Sequence, residues 1–288
     1  MGVIMIKNQF KTVILLASLT ALLLFVGQML GGYSGLIFAG VFVVIMNLVT
    51  YFYSHKMVLA MYKAKEIKEN EKPELFKMVR EVAHLASIPM PKVYLIPSSS
   101  MNAFATGRDP KNAVVACTQG IIDALSKDEL KGVIAHEISH IKNRDILIQT
   151  VAATIAGVIS YVAIMARWSA IFGGFGGGNS RDGNNIVSLL VLAIVTPLMA
   201  MVIQLAISRS REYLADESAA KILHNPYGLA NALEKLESGV KQNPMRFGNA
   251  STSSLFIINP FKSAGFMNLL STHPPIKERV SKLKSMSF

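Results

Sequence analysis

Long uncharged runs alternate with short amphipathic segments along this chain. Residues 12–55 carry no Asp, Glu, Lys or Arg, and GGYSG at 31–35 divides them into Thr12–Leu30 and Leu36–Tyr53. A membrane-crossing helix needs about 20 apolar residues, so the pattern predicts a hairpin of spans. A cleaved leader is the competing reading, with Lys7 and Lys11 as its basic region. No small-x-small cleavage site precedes Gly31, and a second apolar run follows at once, which favours an uncleaved hairpin. Two further uncharged runs, Ile146–Ala166 and Gly183–Ser208, are each long enough to span. Between them lies RWSAIFGGFGGGNSRDGNN (167–185), a glycine-rich loop with Trp168 and Phe172 suited to a membrane interface. Gln149, Gln204 and Pro197 make this second pair less purely apolar, so a buried or re-entrant hairpin is its alternative. Length and basic flanks favour spanning.

The remaining segments show helix and strand periods. EKPELFKMVREVAHLAS (71–87) predicts an amphipathic helix with Pro73 near its start. PKVYLIP (91–97) predicts a short strand, and NAFATGRDPKNAVVACT (102–118) a hairpin turning at GRDPKN. SKDELKGVIAHEISHIKNRD (126–145) opens on a capping box, Ser126 with Glu129 three residues later. SRSREYLADESAAKIL, PYGLANALEKLESGV and PPIKERVSKLKSM (274–286) predict helices, while 243–265 is polar and irregular.

Composition agrees with a membrane protein: 51% of the 288 residues are hydrophobic and 16% charged. The net charge of +11 could suit nucleic acid, but no aromatic-spaced basic clusters occur, so no nucleic-acid partner is expected. The cations instead flank the apolar runs. Lys7 and Lys11 precede the first; Lys56, Lys63, Lys65 and Lys68 follow the second. Lys142 and Arg144 precede the third, and Arg209 and Arg211 follow the fourth. The positive-inside rule then puts both termini, 56–145 and 209–288 in the cytoplasm. Cys117 is alone, so no intrachain disulfide framework exists.

The chemistry-bearing stretch is AHEISHIKNRD (135–145). On a helix, His136 and His140 share a face one turn apart and can grip one zinc ion. Glu137, about 100° round, still borders the metal and can move a proton for hydrolysis. A structural helix with two exposed histidines is the alternative, unless a third ligand is near. Glu212 follows Ser208 by four residues, and His140 precedes Ile146 by six. Both lie roughly 6–9 Å inside the cytoplasmic boundary. If the third and fourth runs pack antiparallel, Glu212 arrives beside the histidines. Asp216, one turn on, can orient a ligand histidine, whereas Glu217 is about 140° round from Glu212. His224 and His273 remain rival ligands without this depth argument. Asn143 joins Asp216 as an outer-sphere candidate; otherwise Asn143 and Asp145 only cap helix groups at the membrane edge.

HEISH together with REYLAD (211–216), NAFATG, HEISHIKNRD, the two apolar pairs and STHPPIKER resembles the HtpX family of bacterial membrane zinc endopeptidases. These are related to the CAAX prenyl proteases and to a mitochondrial inner-membrane stress protease. The resemblance covers nearly the whole chain. It implies zinc on His136, His140 and Glu212, Glu137 as general base, and Asp216 as the second acidic residue. It also implies quality control of misfolded membrane proteins on the cytoplasmic side of the bacterial inner membrane. Asn102, Ala103, Phe104, Ala105 and Thr106 stand where zinc peptidases carry a rim strand. A substrate backbone could add to it, or it could be a core strand. His273 and Arg279 could donate to an oxyanion, or be a solvated cap and helix face.

The expected fold class is thus a mainly α integral membrane protein. Four transmembrane helices accompany a cytoplasmic zincin-like α+β metallopeptidase domain with a small β-hairpin or sheet. The expected divisions are 1–55, 56–145, 146–208 and 209–288, with the lipid bilayer and membrane-protein substrates as partners. A transporter is disfavoured, because the four runs hold no paired intramembrane charge. A metal-dependent scaffold would need zinc closed by four protein ligands, whereas three ligands and a glutamate base leave a position open.

Overall fold

The computed structural model describes residues 2–154, 209–245, 248, 250–260 and 273–287. Helix α1 spans Gly2–Met61 and leaves helical geometry at Gly32 (φ 58°, ψ −139°), inside GGYSG. A positive φ is open to glycine at little cost. Asn47 Nδ2 donates to Thr20 Oγ1 at 3.0 Å. In a straight helix those residues would stand roughly 40 Å apart, so the chain folds back at Gly32. Among the described residues, Gly32–Val49 is long and apolar enough to cross a membrane, and 6% of that stretch is buried within the protein. Thr12–Leu30 belongs to the same helix before the break, and residues 155–208 of the second pair lie outside the described residues.

A four-stranded mixed sheet follows. Its strands are β1 (Lys65–Glu66), β2 (Lys92–Ile96), β3 (Ala103–Gly107) and β4 (Ala113–Thr118), in the order β1-β2-β4-β3. β3 and β4 form the expected antiparallel hairpin, with Ala105 opposite Val115. Asp109 accepts from the backbone N–H of Lys111 and Asn112 and shapes its turn. β2 runs parallel to β4, a pairing that no local pattern announces. Every residue of β4 is buried, which suits the apolar run AVVAC in a central strand. The pair β1 and the short helix α3 (Gln119–Ala124), capped by Thr118, were not expected from the sequence.

Helix α2 (Pro73–Leu85) buries Leu75, Val79, Val82 and Ala83 against the core, and Pro73 starts it. Helix α4 (Lys127–Lys142) begins at the expected capping box. Ser126 Oγ accepts from Glu129 N, and the Glu129 carboxylate accepts from Ser126 N at 2.8 Å. Its run from Gly132 to Ile141 is buried without interruption, so α4 is the central helix rather than an amphipathic one. It packs on β3, on α2, on α6 (Arg209–Leu223) and on α7 (Tyr227–Gln242); α8 (Ile276–Lys284) packs on α6 and α7. A further helix, α5 (146–154), continues directly from Asp145. Residues 243–265, read from the sequence as polar and irregular, hold a 3-10 turn at Ala250–Leu255. Within them Leu255, Phe256, Ile257 and Ile258 are buried. Four successive apolar residues have no helical or strand period of their own, so their burial depends on what they pack against.

The crossing of α4 and α7 is unusually close. A Cβ on Gly132 would lie 2.5 Å from Leu229 N, and one on Gly228 would lie 2.7 Å from Asp128 O. Because the contacts are backbone, no side chain can yield. Gly132→Ala is expected to destabilise the fold by about 1–3 kcal/mol, read as a lower unfolding midpoint in detergent. An unchanged midpoint would show that the helices can separate freely.

Candidate metal centre

The site grows from the end of α4. His136 and His140 sit one turn apart, with relative exposures of 0% and 4%, and their Nε2 atoms approach to 3.2 Å. Helix α6 brings Glu212 to them. Its Oε1 is 3.5 Å from His140 Nε2 and its Oε2 is 3.6 Å from His136 Nε2. These three residues form a group whose donor atoms lie within 4.8 Å of one another and could hold a metal ion. Glu217 points outward to an ion pair with Lys221, and His224 is exposed. Neither is in the group. His273 is buried beside it, with Nδ1 3.4 Å from Glu212 Oε2.

Each histidine turns its other nitrogen to a carboxylate. His136 Nδ1 meets Asp216 Oδ1 at 2.9 Å, and His140 Nδ1 meets Asp145 Oδ2 at 3.2 Å. An ionised carboxylate can only accept, so each Nδ1 carries the hydrogen and each Nε2 lone pair faces the common centre. Asp216 is held in turn by Arg279, whose Nε and Nη2 donate to it at 2.8 and 2.7 Å. Arg279 is 0% exposed and also donates from Nη1 to the carbonyl of Ile257 at 2.9 Å. His273 and Arg279 are therefore buried at the centre; neither is a solvated cap or helix face.

Asp145 reaches His140 through the way α4 ends. Arg144 takes a left-handed conformation (φ 59°). Its N–H bonds to Ile141 O, and the N–H of Asp145 bonds to His140 O. This is a Schellman ending with arginine where glycine is usual. It turns the Asp145 side chain back under the histidine, a geometry that spacing on a continuing helix does not predict. Asn143, the C-cap residue, donates its N–H to Ser139 O.

Glu137 is 2% exposed and lies against β3, where the backbone N–H of Ala105 favours its ionised form. Burial raises the Glu137 pKa, opposed by His136 and His140. Burial also disfavours charge on His136, but its hydrogen bonds to Asp216 and Glu212 outweigh it and push its pKa upward. Burial pushes Glu212 upward, while His273 and His136 pull it well below the usual carboxylate range. Glu137, Asp145, Glu212 and Asp216 thus face two buried guanidiniums, Arg211 and Arg279.

Residues Asn102–Thr106 are all buried, at 0–2% exposure. β3 is nonetheless an edge strand of the sheet. Its outer edge faces Glu137 at Ala105 and segment 256–258 at Ala103, where Ile257 N donates to Ala103 O at 3.2 Å.

Comparison with known proteins agrees with this geometry. A protease HtpX homolog of Syntrophobacter fumaroxidans is 51% identical over 280 residues, covering 97% of this chain and 99% of that one. The homolog from Thermococcus sibiricus is 50% identical over 278 residues, covering 96% and 95%. The homolog from Pyrococcus furiosus is 49% identical over 278 residues, covering 96% of each. The crystal structure of S. mikatae Ste24p shares the fold with a TM-score of 0.53 at 20% identity, over 98% of this chain and 67% of that chain. The sequence profile of peptidase family M48 matches residues 69–287. That match takes in both histidines, Glu212 and every carboxylate and guanidinium that supports them, and the chain belongs to peptidase family M48, as a metalloprotease.

Proposed function

We propose that the protein is a zinc-dependent endopeptidase of the membrane that cuts misfolded or damaged membrane proteins on the cytoplasmic side. The carrying observation is the convergence of His136, His140 and Glu212 at 3.2–3.6 Å. Donors around a tetrahedral zinc ion at its usual bond lengths stand roughly 3.3 Å apart, a spacing this group can accommodate. Two imidazoles and one carboxylate also leave a position open, as catalytic sites do and structural sites do not. Zinc would supply Lewis-acid polarisation of a peptide carbonyl and a lowered water pKa.

The chain's own groups do the rest. His136, His140 and Glu212 hold the ion, and Asp216 and Asp145 fix the histidine tautomers. Arg279 keeps Asp216 ionised and in place. Glu137 takes a proton from the attacking water and hands it to the leaving amine, and its raised pKa suits transfer near neutrality. β3 receives the substrate backbone by strand addition, and His273 and Arg279 face its carbonyl oxygens as donors. The bilayer reading rests on the long apolar hairpin and its basic flanks.

Glu137→Gln is expected to retain zinc but lose about 10²–10⁴-fold in casein cleavage, with both measured on one preparation. Full activity with bound zinc would remove Glu137 from the mechanism. For the ligands, dialysis against a graded chelator should rank zinc retention. Glu212→Gln should lose most. Asp216→Asn and Asp145→Asn should lose about 10–100-fold, and Glu217→Gln should match the parent. Zinc loss in Glu217→Gln with retention in Glu212→Gln would reverse the ligand assignment. For topology, Tyr33→Cys and Asn70→Cys in a Cys117→Ser background should label oppositely. An impermeant maleimide added to intact cells should reach position 33 alone; labelling of position 70 would invert the orientation.

A further inference from the structure

Towards its end, α1 carries three aromatic residues in a row, Tyr51, Phe52 and Tyr53, all exposed. They continue an exposed apolar face that includes Ile45 and Leu48. An aromatic run at the end of an apolar span marks the level of the membrane–water interface. The β3–β4 turn reaches that level. Arg108, the first residue after β3, places its guanidinium carbon 5.6 Å from the centre of the Phe52 ring. Lys56 Nζ lies 5.2 Å from the centre of the Tyr53 ring. His55 is within electrostatic reach of both cations. Two distant segments of the chain thus bring like charges to one place.

Asp109 is the carboxylate at hand, but it is already shared. It accepts from the backbone N–H of Lys111 at 2.9 Å and of Asn112 at 3.0 Å, from Asn112 Nδ2 at 3.0 Å, and from Arg108 Nε at 3.3 Å. Those bonds fix the turn and leave both Nη atoms of Arg108 uncommitted. Among the described residues, neither these atoms nor Lys56 Nζ meets a hydrogen-bond acceptor. Lys111, exposed on the same turn, adds a third cation. Converging like charges cost free energy unless an anion balances them. At the level of lipid headgroups the anions present are phospholipid phosphates. A phosphate offers several acceptor oxygens, which suit a guanidinium fork and an ammonium together.

We propose that Arg108 and Lys56 clamp the phosphate of an anionic phospholipid, and that this lipid fastens the β3–β4 turn to the membrane surface. The proposal rests on the bilayer reading of α1 and goes beyond it, because basic residues flanking a span require no contact from the sheet. The consequence reaches the metal centre. β3 runs from Ala103 to Gly107 at that turn, Ala105 lies against Glu137, and Thr106 bonds to Thr150 at 2.9 Å. The lipid therefore holds the far end of the strand that borders the site.

The test uses the full-length protein in nanodiscs of phosphatidylcholine, with and without phosphatidylglycerol. Amide hydrogen exchange at 107–112 is expected to slow when phosphatidylglycerol is present. Native mass spectrometry of the released protein should show phosphatidylglycerol retained in preference to phosphatidylcholine. Arg108→Gln and Lys56→Gln should each weaken that retention about fivefold and remove the difference in exchange. Arg108→Lys, which keeps the charge without the fork, should lose less. Lys241→Gln, at an exposed site on α7, should behave as the parent. Should Arg108→Gln fail to fold, Lys56→Gln carries the test alone. Inorganic phosphate added to phosphatidylcholine discs should leave exchange at 107–112 unchanged; protection by phosphate alone would assign the site to a free anion and overturn the lipid. Equal retention of both lipids, or retention insensitive to Lys56→Gln and Arg108→Gln, would overturn it too. None of these readouts needs hydrolysis. A protein that enters discs of neither composition contradicts the bilayer reading. One that enters both with unchanged exchange at 107–112 contradicts this inference alone.

Discussion

A charge buried in protein must be paired, and that constraint organises the centre of this molecule. His136, His140, Glu137, Glu212, Asp216, Asp145 and Arg279 are all at most 4% exposed. Desolvating any of them alone would be prohibitive. The solution is a set of opposed charges in which each imidazole is clamped at Nδ1 by a carboxylate and Arg279 ties Asp216 to the surrounding backbone. The donors left over point at one place. Two facing Nε2 lone pairs and a carboxylate repel one another, so a cation at that place stabilises the whole assembly as well as serving chemistry.

That arrangement explains why α4 is so fully enclosed. A helix holding charged groups at its centre needs partners on every side. Helix α6 supplies Glu212 and Asp216 from one direction, α8 supplies Arg279 from another, and β3 contributes the Ala105 N–H to Glu137. The backbone crossing of Gly132 over Leu229 and Gly228 over Asp128 sets how closely α7 approaches the same helix. Thr106 on β3 meets Thr150 on α5 at 2.9 Å, which ties the rim strand to the helix leading from Asp145 into the third apolar run. The rim, the metal group and the entrance to that run are therefore one mechanical unit.

The edge of β3 carries a second constraint. An unpaired edge is a standing invitation to another strand, and here it is covered by 256–258 and by Glu137 itself. The Glu137 carboxylate thus lies against the edge of β3.

Much of this was legible in the sequence where a local period or a short-range signal carried it. The capping box at Ser126 and Glu129 started α4 at the right residue, the turn residues of GRDPKN placed the hairpin, and glycines at 31–35 marked the fold-back of α1. The four-residue spacing of His136 and His140 put both on one face, because helix geometry alone decides that. The delivery of Glu212 could be argued from depth along the chain, and Glu217 excluded by helix phase. Other features depended on contacts between distant segments. Asp145 meets His140 only because α4 ends in a left-handed residue that reverses the chain. The parallel pairing of β2 with β4 has no local signature, since hydrogen-bond partners across a sheet are not encoded by period. Residues 255–258 read as part of an irregular loop, yet tertiary packing buries them beside the metal group. Local sequence determined which elements form and which faces carry chemistry, since those follow from backbone geometry over a few residues. Tertiary structure decided which buried charges meet and what covers the substrate edge, because such pairings exist only once distant segments exclude water together.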